Sequence, residues 1–434
     1  MITDLFLSTI MLFFVLKGIK NPHIALCAVV WVDIVKPQDI SFSFLAGKPL
    51  SLILTVFFFF SLLINLKKVK KPKSGLYFFL MPMFMLWITL ATIYGEFQYF
   101  AWIKYDIAIK TLLFALFIPF VLTERKHYEL FILVAVASFG MFITMAGVKS
   151  VLGGGGYGVS LIGMGGFMYS EGSNLATLSV CLLPIFIHIY QHSLIKDKYK
   201  FIKYLMIFYG FCALMVLIGT QARTGLICLV AFVVLLLLQT KYKFRAILAI
   251  CIIPLLLMPF VTDDWVKRMN SIDEGTVSEK SALGRIVVWR WTLDYVAERP
   301  FFGGGFYAHL ANAGVLHHYQ EGEEVEINQK GGKAFHNIFF EVLGETGYGG
   351  LMLFLGIILH TLMLNRAMSI KIKRNKDPTK EWIGSMCKST NMSLMIYCVG
   401  GMFIGVAFYP WIYYLYGLSI SFSHLDREPL DRHQ

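Results

Sequence analysis

Residues 224–240, TGLICLVAFVVLLLLQT, contain no charged side chain and no proline, and residues 50–66, LSLILTVFFFFSLLINL, share that character. A helix needs roughly 20 mostly apolar residues to cross the hydrocarbon of a bilayer. A soluble core has no use for Leu, Phe and Ile in blocks of that length. The 434-residue chain is 57% hydrophobic and only 15% charged. It reads as an all-α polytopic membrane protein.

Working outward from these blocks, apolar segments recur at about 3–16, 22–34, 49–66, 76–93, 100–121, 127–147, 173–192, 202–219, 223–240, 244–261, 348–365, 388–407 and 409–422. The first two are short enough to pack as one broken element, so the pattern predicts 12 or 13 transmembrane helices. The opening MITDLFLSTIMLFFVLKGIK lacks a basic leader and a small-residue cleavage site, and reads as a first span. No internal repeat of fixed period is visible.

The net charge of +12 is a matter of placement. Basic residues crowd into short connectors such as KKVKKPK at 67–73, KDKYKFIK at 196–203 and RAMSIKIKRNKDPTK at 366–380, while alternate connectors are poor in them. That is the positive-inside pattern. It places the basic connectors on the cytoplasmic side and gives no reason to invoke a nucleic-acid partner. The seven cysteines lie in or beside apolar spans or in a basic connector, so no disulfide framework is implied.

Sidedness divides the chain into an N-terminal transmembrane bundle (1–261), an outward loop with short amphipathic helices (262–347), and C-terminal transmembrane helices with a cytoplasmic tail (348–434). Three outward segments hold most of the unusual polar chemistry: the glycine-rich SVLGGGGYGVSLIGMGG at 150–166, the turn GTQARTG at 219–225, and the long loop from 262 to 334. The glycine run lacks the GK[ST] of a phosphate-binding loop and no strand precedes it.

Arg223 stands at the outward entrance of an apolar helix, where an arginine must snorkel, pair or meet an anion. Arg285 and Trp289 are four apart and share a helix face, while Arg290 points elsewhere. The helix bearing them also fits a surface-lying amphipathic element whose arginines meet lipid headgroups. His336 opens a short helix with Glu341 and Glu345, which share the opposite side, and Asn337 follows it. This spacing does not let one helix chelate a metal, and His317 and His318 supply no zinc pattern. Before the seventh span, Ser170 or Ser173 reads as a helix cap, beside Glu171 and Asn174.

Taken in order, ARTG at 222–225, GRIVVWRWTLDYVAERPFFGGGF at 284–306 and HNIFFEVLGETGYGGLMLFL at 336–355 resemble the O-antigen ligase and polymerase superfamily of the WaaL/Wzy type. WVDIVKPQDISFSF at 31–44 and WITLATIYGEF at 87–97 resemble its exosortase-associated O-glycosylation ligases. The resemblance implies a transferase of the bacterial inner membrane that uses an undecaprenyl-diphosphate-linked glycan at the periplasmic face without metal, cofactor or nucleotide. Its acceptor would be lipid A core, another polysaccharide or a protein. It carries family roles to Arg223 and Arg285 as diphosphate ligands, more weakly to Arg290, and to His336 as catalytic residue. Trp289, Asn337, Glu341 and Glu345 stand as supporting residues, the glutamates as candidates to orient His336 or an arginine. A polymerase is the nearest rival. A flippase for the same lipid is the other, which would use ionisable residues near the bilayer midplane such as Lys104, Asp106 and Lys110.

Overall fold

A computed structural model of the chain describes residues 2–153, 171–196, 198–240, 242–270, 278–319 and 331–425. The elements are α1 (Ile2–Gly18), α2 (Pro22–Val35), α3 (Pro37–Ile40), α4 (Leu50–Ile64), α5 (Gly75–Ile93), α6 (Gln98–Val121), α7 (Arg125–Leu152) and α8 (Gly172–His192). They continue with α9 (Phe201–Thr220), α10 (Arg223–Gln239), α11 (Lys243–Leu257), α12 (Asp263–Asn270), α13 (Ser278–Glu298), α14 (Ile338–Asn375), α15 (Glu381–Gly401) and α16 (Pro410–Leu425). No strand occurs among the described residues. The protein is an all-α, multi-pass membrane protein. Five helices, α5, α7, α8, α9 and α14, are long and apolar enough to cross a membrane, and α2, α4 and α10 are shorter apolar helices.

A helix occupies each of the expected apolar segments. The first two are separate elements: α1 ends at Gly18 and α2 restarts with Pro22, whose fixed φ suits a first helical turn. Most of the glycine-rich stretch and of the acidic run after His318 lies outside the described residues.

The centre of the bundle is α16, buried on all sides from Pro410 to Phe422. A helix apolar all round belongs inside, and this one carries three tyrosines whose hydroxyls all find partners. Tyr413 donates to Ala407 O (2.8 Å), Tyr414 to Asp33 Oδ2 (2.6 Å), and the Tyr416 hydroxyl meets His360 Nδ1 (2.7 Å). Nearby, Asn365 bridges α14 to α15 and α16 by donating to Asn391 Oδ1 and Ser419 Oγ, each at 2.9 Å. In a medium without water such polar groups must be satisfied internally. The periphery has the opposite character: on α10, Ile227, Val230, Val234 and Leu238 form an exposed apolar stripe suited to lipid contact.

Two features fix the mouth of α14. Helix α13 packs along its start, and the GGG turn that follows α13 is stitched in on both sides. Gly304 N donates to Gly344 O and Glu96 N donates to Gly304 O, each at 2.9 Å. Gly305 (φ +77°) lies so close to Gly95 that a Cβ would come within 2.5 Å of the Gly95 Cα. Within α14, Gly347 adopts φ +67° and breaks the helix between its first two turns and the long apolar run. The sequence already places glycines there for such a turn. The kink is held by Trp87 Nε1, which donates to Thr346 O at 2.9 Å.

Candidate functional site

His336 does not open α14. It lies one residue before the cap, in the left-handed region at φ +48°. That conformation costs a non-glycine residue roughly 1–2 kcal/mol and persists only where the surroundings enforce it. Three anchors do so. The Asn312 side chain grips residue 333 from both directions, accepting from Lys333 N and donating to Lys333 O, each at 2.8 Å. Trp289 Nε1 donates to Phe335 O at 2.9 Å while its indole stacks on Phe340 at 5.2 Å. Asn337 caps α14, its Oδ1 accepting from Phe339 N (2.8 Å) and Phe340 N (3.3 Å). The four-residue spacing of Arg285 and Trp289 thus has a purpose: one turn of α13 faces the His336 segment with both.

The electrostatics around this ring are lopsided. Burial, then Arg285, then Lys333 push the His336 pKa below its ordinary value, with Glu341 opposing. Burial also lowers the Lys333 and Arg285 pKa values, Arg285 further lowering Lys333 and Glu171 opposing at Arg285. Burial raises the Glu171 carboxyl, opposed by Arg285. Arg285 also lies over the Phe403 ring, 6.0 Å from its centroid, at the limit of a cation–π contact. Among the described residues His336 makes no hydrogen bond, and neither Arg285 nor Lys333 has an ion-pair partner. The ring is therefore a neutral imidazole beside cations that have no ion-pair partner among the described residues.

Glu341 and Glu345 have a different partner from those expected. Both face Lys104, which reaches in from α6 across more than two hundred residues of sequence. Lys104 Nζ lies 2.7 Å from Glu341 Oε1 and 2.8 Å from both Glu345 oxygens. Ala407 N donates to Glu341 Oε2 (2.9 Å) and Tyr307 N to Glu345 Oε1 (3.1 Å). Rings of Phe306 and Phe408 close over the ammonium at 5.4 and 5.2 Å. The two glutamates thus hold Lys104 and the 307 and 407 backbones. They orient neither His336 nor an arginine by direct contact.

A cavity of about 370 Å³ opens against this cluster. Lys104 and Ile107 of α6 line it together with Glu341 and Glu345. Ala334 and Phe335, the two residues before His336, also line it, as do Lys36, Tyr307, His309, Gly405, Phe408 and Tyr409.

Of the remaining candidates, Arg223 is the first residue of α10, which packs against α8 and α15. Its position puts it at the same end of the bundle as Glu171 and Phe403. Arg290 is exposed on α13, away from Arg285. Asp106 pairs with Lys110 at 2.6 Å. The N-cap of α8 is Glu171, Ser173 lies inside the helix, and Ser170 is outside the described residues. No group of three or more metal-ligating side chains occurs among the described residues. Sequence reading missed Lys333 and His309 altogether. Lys104 carried a usable signal, an ammonium about 9 Å into a mostly apolar helix (six residues at 1.5 Å each) that must find a counter-charge.

Comparison with known families divides the chain in two. Residues 2–194 match a family of unknown function, DUF5935. Residues 208–355 match the family described as O-Antigen ligase, a segment running from α9 through α13 and the His336 strap to the start of the long run of α14. That match supports a relation of this segment to the O-antigen ligase/polymerase superfamily. No curated protein matches the chain.

Proposed function

We propose that this protein is a glycosyltransferase of the ligase type. It moves a preassembled glycan from undecaprenyl diphosphate to a hydroxyl of lipid A core, a polysaccharide or a protein, at the periplasmic face of the inner membrane. The observation that carries the reading is the neutral His336 ring, without a hydrogen bond among the described residues, held in a strained backbone conformation beside Arg285 and Lys333.

Each group has a task in such a transfer. The acceptor hydroxyl gives its proton to the His336 ring, and its oxygen forms the new bond to the anomeric carbon. The bond from that carbon to the phosphate oxygen breaks, its electron pair leaving with the diphosphate. Charge then builds on the leaving group, and fixed cations that do not have to reorganise lower the barrier. Arg285 and Lys333 fit this role, and Arg223 joins them from the mouth of α10, where a planar fork suits phosphate oxygens. A lowered imidazole pKa keeps the base unprotonated at neutral pH, which general-base work requires. Asn337 and Trp289 act by setting the backbone on either side of His336.

The test is transfer in detergent, without a membrane gradient. Purified protein given a lipid-diphosphate-linked glycan and an acceptor should release undecaprenyl diphosphate and glycosylate the acceptor. His336→Ala and Arg285→Ala should lose this while inserting normally. Transfer at the wild-type rate by His336→Ala would remove the base assignment.

A further inference from the structure

We propose that the cavity between Lys104, Tyr307, Gly405 and Tyr409 is a saccharide subsite that seats one sugar ring of the transferred glycan or of its acceptor next to His336. The inference rests on the transferase reading for the name of the reaction, and on the cavity alone for the chemistry of its occupant.

Three observations select a sugar. First, the volume of about 370 Å³ lies within the range of small-molecule sites, roughly 300–1,000 Å³. Second, the formal charges that line it are balanced: Lys104 is tied to Glu341 and Glu345, Lys36 adds a second cation, and His309 is neutral, its pKa pushed down to about 4 by burial, then Lys104 and His336. A diphosphate there would meet no net positive formal charge, whereas beside Arg285 and Lys333 it meets cations. Third, the lining pairs hydrogen-bonding groups with apolar side chains. Glu341, Glu345 and Tyr409 line it with oxygen-bearing groups, and Phe335, Phe408 and Ile107 with apolar ones. A polyol with one apolar face needs both. Anionic and neutral parts of a glycolipid would therefore occupy different places, the diphosphate on the Arg285 side and a ring on the Lys104 side.

Gly405 gives access for a test. Its backbone is not in the left-handed region, and a Cβ there would make only ordinary contact with Glu341, at 3.5 Å. The Gly405→Cys variant, in a background with Cys251 and Cys398 replaced by serine, places a thiol in the cavity wall; the other native cysteines are buried. Its maleimide labelling rate is measured with undecaprenyl diphosphate alone, with the sugar-bearing lipid extracted from glycan-producing cells, and with the acceptor glycan. The Ala334→Cys variant, at an exposed lining residue, serves if the first fails to fold.

Sugar-bearing lipid at ten times its dissociation constant should slow labelling by about 10-fold, and the sugar-free lipid should not. Protection by the acceptor glycan instead assigns the ring to the acceptor, and this also supports the subsite. Equal protection by the sugar-free lipid, or none by any glycan, overturns it. Protection by sugar in a protein that transfers nothing would leave the subsite standing and remove the transferase reading. Transfer by wild-type protein with an unprotected thiol would do the reverse.

Discussion

Two charged regions lie within ten residues of each other on the same strap of chain, and they are built on opposite principles. At Glu341 and Glu345, every charge has a partner: one ammonium, two carboxylates, two backbone donors and a pair of aromatic rings close on one another. At His336, like charges converge. Beyond burial, Arg285 and Lys333 both depress the ring and Arg285 depresses Lys333, with Glu341 opposing at the ring and Glu171 at Arg285. A cluster whose charges cancel stabilises a fold. A cluster of partly buried cations left with little to balance them is costly unless an anion arrives. The contrast separates a self-satisfied cluster from one open to an anion more sharply than residue type does, since both regions are assembled from ordinary acids and bases.

Substitutions can break this contrast on either side. The largest effect is expected from His336→Ala, with glycan transfer falling by about 10²–10⁴-fold, the usual worth of a general base, and insertion unchanged by protease protection. On the paired side, Lys104→Met leaves two carboxylates facing each other. Breaking a buried pair typically costs about 3–5 kcal/mol, so the yield of folded protein in a thermal-aggregation assay should drop. The double variant Lys104→Met/Glu345→Gln should recover part of that loss. If Lys104→Met folds like wild type and only loses activity, the scaffold assignment is wrong.

The pH profile gives a finer test. As the proposed base, His336 would have to be unprotonated to act, so the rate should climb as pH rises through its pKa, which lies below the ordinary histidine value. Lys333→Gln removes one of the cations that depress it. The pKa should then rise, carrying the acid limb of kcat/KM to higher pH by up to about one unit. An unmoved limb would mean that a different group titrates. The smallest effect belongs to Asn337→Ala, where loss of the cap costs about 0.5–2 kcal/mol. Transfer should weaken through a less ordered His336 while glycolipid binding is retained, as an equilibrium binding measurement would register.

Much of this was legible in the chain. Apolar blocks located the helices, the glycines after Glu345 announced the break at Gly347, and the spacing of Arg285 and Trp289 put both on one face. The pairing of Lys104 with Glu341 and Glu345 was not legible, because it joins helices far apart in sequence and no periodicity reports which helices become neighbours. The buried ammonium announced a need for counter-charge without naming it. Lys333 was hidden for a related reason: in the sequence it is one more loop lysine, and only the Asn312 grip turns its position into a fixed one. His336 was placed in the helix because FHNIFF reads as a helical start, whereas the Asn337 cap moves the first helical residue to Ile338 and leaves the histidine outside.

The Asn312 grip has a consequence for how such a protein can change. Residues 312 and 333 are tied by two hydrogen bonds, so the two ends of the stretch between them are held together. Lengthening a loop of this kind adds only a logarithmic entropy term, about 0.6 kcal/mol for each doubling. Exchanging or recharging the acidic run EGEEVE at 321–326 is therefore expected to leave His336 in register. It is the natural place in this chain to graft a new preference without rebuilding the reaction centre.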